Sequence, residues 1–164
     1  MLYIDEEYQN IIKHILDNKE FQKTKNKIHH GISRYDHLLR VSYYSYIITK
    51  KLRLNYKETA RAGLLHDFFL DEVESESKIN KLQKHPIYAL NNARKYYKLT
   101  PREEDIIKTH MFPITFTPPK YFESWIVDIV DDVVGIYEQY KSSCKEFKSA
   151  VSFLLILLIN IIQK

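Results

Sequence analysis

Helix-start signals divide this sequence at several points and restrict it to a helical fold. Ser33 is followed three residues later by Asp36, Asn55 by Glu58, and Thr100-Pro101-Arg102-Glu103 adds a proline at the first helical position. In each case a short polar side chain can accept from the backbone N–H three residues on, while the acid can reach back. The segments behind these signals repeat apolar residues at three- and four-residue spacing rather than alternately. Three glycines and five prolines in 164 residues are too few for the frequent turns of a β-sandwich. The expectation is an all-α chain, a single-domain bundle of about six to seven helices.

The same punctuation sets the expected boundaries. A first helix covers Asp5–Asp17 with Tyr8, Ile11, Ile12 and Ile15 on one face, and a polar connection runs through His30 and Gly31. The second helix runs from Ser33 to about Leu52, and the third opens at Asn55 and includes Ala60–Phe68. The acidic stretch Asp71–Ile79 reads as a loop. Pro86 suits the first turn of a fourth helix, with His85 at or just before its start. A fifth starts at Thr100 and ends near His110, Pro113–Pro119 breaks the chain, and a sixth covers about Lys120–Tyr140. The last, about Lys145–Ile162, carries the apolar run FLLILLINII. No repeat or linker divides the chain, so residues 1–164 are expected to form one domain, with its motif-bearing core at about 31–140.

Composition narrows the setting. Phe153–Ile162 is too short to span a bilayer and contains Asn160, so it reads as a buried or oligomer-interface helix through which a homodimer could form. The single cysteine, Cys144, excludes an internal disulfide framework and points to a reducing compartment. The N-terminal segment carries early acids and no uninterrupted apolar stretch, so no secretory signal is expected and the location reads as cytoplasmic. A formal charge of +4 is spread along the chain. It favours anionic substrates without forming the basic stripe of a stable nucleic-acid complex.

Several side chains fall where chemistry could be done. His66-Asp67 follows Ala62-Gly63, so the helix face beneath His66 is nearly bare and a neighbouring helix can approach it. His37 lies between Arg34 and Arg40 at three-residue spacing, combining a metal-binding imidazole with guanidinium groups suited to phosphate. Asp131 falls within the stripe Val127, Val130, Val134, where a charge needs a cation or good hydrogen bonds to remain ionised. Asp128 is the reserve choice, on an edge with Asp132 that reads as partly solvated. His110 extends the face of Ile106 and Ile107, and His85 stands just ahead of Pro86. These imidazoles and carboxylates, with no thiolate, suit divalent Mn, Fe, Co, Ni or Zn.

The order His37, His66-Asp67, Asp131 resembles the HD superfamily of metal-dependent phosphohydrolases. HGISRYDHLLRVS, ARAGLLHDFFL and ESWIVDIVDDVVGIYE are similar to small bacterial HD proteins, over about Gly31–Tyr137. His85 in KHPIYALNNA and His110 in IIKTHMFP resemble the two-metal branches, which include diadenosine tetraphosphate hydrolases and some cyclic-nucleotide and cyclic-dinucleotide phosphodiesterases. The resemblance implies a helical fold and two divalent ions. Asp67 would bridge them, His37, His66 and Asp131 would complete one site, and His85 and His110 would serve the other.

The implied reaction is hydrolysis of a phosphoester or phosphoanhydride of a small phosphorylated substrate, a nucleotide, by metal-activated water. Arg34, Arg40 and Lys108 are the candidates to neutralise phosphate, and Asp71 an outer acid or base. Three other readings use the same residues differently: a di-iron oxygenase on the same fold, a non-catalytic metal-binding sensor or interaction module, and a helical nucleic-acid binder. The last draws only on scattered basic residues and thirteen tyrosines.

Overall fold

The computed structural model describes residues 5–29, 32–70 and 78–143. Its helices are α1 (Glu6–Leu16), α2 (Lys19–Gln22), α3 (Arg34–Lys51), α4 (Tyr56–Leu65), α5 (Lys78–Tyr96), α6 (Pro101–Thr109) and α7 (Phe122–Ser143). The all-α class stands. The Lys145–Ile162 helix, with the dimer contact expected of it, lies outside the described residues, as does most of the Asp71–Ile79 loop.

Caps account for most helix starts. Asp5 accepts from the Tyr8 N–H, Ser33 from Asp36 and Asn55 from Glu58. At α6 both halves of a capping box close: Glu103 N–H donates to Thr100 Oγ1 at 3.2 Å, and Thr100 N–H donates to Glu103 Oε2 at 2.8 Å. The box expected at Asn55 is completed from elsewhere. Glu58 pairs with Arg102, and it is Glu123 of α7 whose Oε1 accepts from Asn55 N–H at 2.9 Å.

Three expectations need correction. The polar connection after α1 is partly ordered: it holds α2, a 3₁₀ turn at Lys23–Asn26 and a two-residue antiparallel pairing, Ile28–His29 with Ile32–Ser33. The third helix stops at Leu65, short of Phe68. There the departing chain is held from outside, since Asn92 Nδ2 donates to Phe68 O at 3.1 Å and Arg34 Nη1 to Phe69 O at 2.6 Å. Pro86 lies inside α5 rather than in its first turn, because the helix begins at Lys78. A buried proline there forgoes one bond to the Leu82 carbonyl, a loss that tertiary packing offsets.

α3 and α4 lie along one another, α7 packs on α3, and α6 packs against both α4 and α7. The core is built from Leu38, Val41 and Tyr46 of α3, Ala60, Ala62, Leu64 and Leu65 of α4, and Ile106 and Ile107 of α6, together with Val127, Val130 and Val134 of α7. The α3–α4 crossing is close at Gly63, where a Cβ would meet the Ser42 Cα at 3.0 Å. α1 closes one side, with Tyr8, Ile12 and Ile15 buried and the Tyr8 hydroxyl donating to Ser42 Oγ at 2.9 Å.

Candidate metal centre

Two helix ends point imidazoles the same way. His66 follows the last residue of α4 and His110 the last residue of α6. Carbonyls in a final helical turn lack intrahelical partners. Each ring uses one of them: His66 Nδ1 bonds Gly63 O and His110 Nδ1 bonds Ile107 O, both at 2.8 Å. A carbonyl can only accept, so the proton sits on Nδ1 and the Nε2 lone pair faces inward.

His37, in the first turns of α3, has Nε2 2.9 Å from Asp131 Oδ1. His66 Nε2 lies 3.5 Å from the same oxygen. On the other side, Asp67 Oδ1 lies 3.3 Å from His85 Nε2 and 3.4 Å from His110 Nε2, and those two nitrogens are 3.0 Å apart. The rings form a continuous row, with centroids 5.4 Å apart for His37–His66, 4.8 Å for His66–His110 and 5.0 Å for His110–His85. The close approach at Gly63 allows this row to form, because it brings α3, and His37 with it, up to the end of α4.

Three overlapping sets have ligand atoms within 4.8 Å of one another: His37, His66 and Asp67; His66, His110 and Asp131; and Asp67, His85 and His110. The structure thus brings together all six side chains read from the sequence as ligands. The basic residues read as phosphate partners have other surroundings. Arg34 is buried, donates to Phe69 O and stacks on the Phe69 ring at 4.0 Å, so its guanidinium braces the chain beyond Asp67. Lys108 is exposed. Its position two residues before His110 turns it to the opposite side of α6. Arg40 donates to Glu138 Oε1 at 2.6 Å. Asp71 lies outside the described residues.

The donor set fits a divalent cation on structural grounds. His66 Nε2 is buried and makes no hydrogen bond. Leaving such an atom dry is costly unless something else binds it. The neighbouring charges agree. Burial opposes ionisation of Asp67, yet His85, His110 and His66 hold its carboxyl well below the usual range. Burial likewise opposes ionisation of Asp131, and His66 and His37 overcome it. His37 is pushed up to about 10 because the Asp131 and Glu138 carboxylates outweigh the burial of the ring. Clustered imidazoles beside ionised carboxylates offer the nitrogen and oxygen donors that could hold a cation.

Two acids of α7 beside this centre differ from expectation: Asp128 was the reserve choice as a ligand, and Glu138 was not foreseen. Asp128, expected on a partly solvated edge, is 5% exposed. Burial, then Asp132, pushes its carboxyl up to about 7. Glu138 is fully buried, with Oε2 2.8 Å from His37 Nδ1. Its spacing was the available signal: seven residues after Asp131, it returns to the same face of α7.

No curated protein and no solved structure matches the chain. A scan against protein families matches the HD domain over residues 34–135. That span begins one turn before His37, ends one turn after Asp131, and contains all six converging side chains, so the chain belongs to the HD domain family.

Proposed function

We propose that the protein hydrolyses a phosphoester or phosphoanhydride of a small phosphorylated molecule, a nucleotide, using two divalent cations drawn from Mn, Fe, Co, Ni and Zn. The family supports the class, since HD domains are mostly metal-dependent hydrolases. The observation that carries the reading is the sharing of ligands among the three sets: His66, Asp67 and His110 each belong to two of them. A side chain common to neighbouring sets suits a centre of two adjacent ions better than one isolated ion.

Cations bound there would acidify water and draw charge from the phosphoryl oxygens. The chain's own residues do the positioning. Asp67, just beyond α4, faces both groups of imidazoles and is assigned the bridging role. His37, His66 and Asp131 would hold one cation, and His85 and His110 the other. The backbone bonds at Gly63 and Ile107 fix two of these rings before substrate arrives. That preorganisation lowers the reorganisation needed at the moment of reaction. Arg34 and Arg40 are already engaged by Phe69 O and Glu138, so phosphate charge is assigned chiefly to the cations.

The test is hydrolysis by the purified protein loaded with Mn, Co, Ni or Fe, across nucleotides, dinucleoside polyphosphates and cyclic dinucleotides. Release of phosphate or nucleotide that depends on the metal and on Asp67 is expected. Failure on every substrate with every metal would sink the hydrolase reading.

A further inference from the structure

The three inward-facing imidazoles on α3, α4 and α6 are not held alike. His66 and His110 sit at helix C-termini, where unpaired carbonyls are at hand for Nδ1. His37 sits near the N-terminus of α3, where a helix presents spare N–H groups and no spare carbonyl. It therefore needs an acceptor from another element. Glu138 of α7 supplies one, with Oε2 2.8 Å from His37 Nδ1, while Arg40 Nη1 holds Oε1 at 2.6 Å. The carboxylate is fully buried and lies beyond the family-matched span of 34–135.

We infer that Glu138, steadied by Arg40, is a positioning residue that makes His37 a metal ligand. A carboxylate offers no donor, so the contact keeps the Nδ1 proton in place and leaves Nε2, beside Asp131 and His66, as the nitrogen that a cation would take in exchange for its proton. It also supplies a full negative charge behind the ring, where His66 and His110 have only a carbonyl dipole. His37 is thereby the most strongly donating imidazole of the centre, and the cation position it serves is the tighter one. The inference rests on the proposed reading of His37 as a ligand and does not depend on which phosphate compound is cleaved.

The measurement is zinc affinity of the full chain, by competition with a chromophoric chelator, for the parent, Glu138→Gln, Glu138→Leu and Arg40→Gln. Glu138→Gln keeps an oxygen acceptor without the charge and should weaken one zinc position by roughly 10-fold, and Glu138→Leu by up to about 100-fold. The position served by His85 and His110 should be unchanged in both. Nitrogen NMR of the zinc-loaded parent should show His37 bound through Nε2 with its Nδ1 proton in a strong hydrogen bond, a bond weakened in Glu138→Gln and absent in Glu138→Leu. Arg40→Gln should fall between the parent and Glu138→Gln.

Folded variants that bind both ions as the parent does would overturn the inference, as would equal weakening of both positions. If Glu138→Leu does not fold, Glu138→Gln decides the matter alone. A parent that binds zinc but cleaves nothing ends the hydrolase reading and leaves Glu138 in its role. A parent that binds no zinc ends both.

Discussion

At the scale of single residues, the centre places opposite demands on neighbouring carboxylates. Asp67 and Asp131 are held ionised against their burial, whereas Asp128, three residues before Asp131, is pushed up to about 7 by burial and by Asp132. Asp67→Ala should abolish hydrolysis and sharply reduce metal content; normal loading on elemental analysis would remove Asp67 from the ligand set. His85→Ala should weaken its own ion more than the one at His37, and equal loss of both would contradict the two-position assignment. Asp128 gives a pH prediction. Its folded pKa lies above the unfolded one, so between about pH 4 and 7 the native state holds more protons and stability falls as pH rises. Asp128→Asn should therefore stabilise the metal-free protein at pH 8 by ~2 kcal/mol and change little at pH 4. Urea melts at the two pH values check this, and a gain of equal size at both would refute it.

At the scale of elements, helix ends carry more of the design than helix interiors. Thr100 was readable as a cap from its spacing to Glu103, and the box closes in full. Thr100→Ala should cost ~1 kcal/mol in denaturant melts. Gly63 is more consequential because its missing Cβ lets α3 approach α4. The obstacle to a methyl there is the Ser42 backbone, which cannot swing aside as a side chain could. Gly63→Ala should destabilise by ~1–3 kcal/mol and also lower metal affinity, since moving α3 moves His37 away from His66. Normal affinity in a destabilised Gly63→Ala would separate packing from the centre. The bare face beneath His66 was legible because small residues are a local property of the sequence. The early end of α4 and the late position of Pro86 were not, because Asn92, Arg34 and the rest of α5 act from elsewhere in the chain.

At the scale of the whole molecule, the centre ties together α3, α5, α6, α7 and the end of α4. A cation bound there connects segments that helix packing alone joins less firmly. Metal should therefore raise the melting temperature in a concentration-dependent way, by the ordinary linkage between binding and stability: about 2.7 kcal/mol at a hundredfold excess over Kd. Chelation should reverse the gain. A melting curve indifferent to both would mean that the six side chains do not bind metal in solution. Among the described residues, no helix is long and apolar enough to cross a membrane.

The sequence by itself determined the helical class, most helix starts and the identities of the imidazoles and carboxylates that converge. Each of these is written in short-range patterns: a cap three residues from its acid, an apolar stripe, an imidazole at a helix end. Tertiary structure decided what those patterns meet. It buried Asp128, which periodicity had put on a partly solvated edge, and turned Arg34 and Arg40 from free guanidinium groups into braces. It also set Glu138 behind His37, a hundred residues away in the chain. Local spacing can place a side chain on a face of its helix. Which charge or carbonyl stands opposite depends on how the helices cross, and only the folded arrangement specifies that.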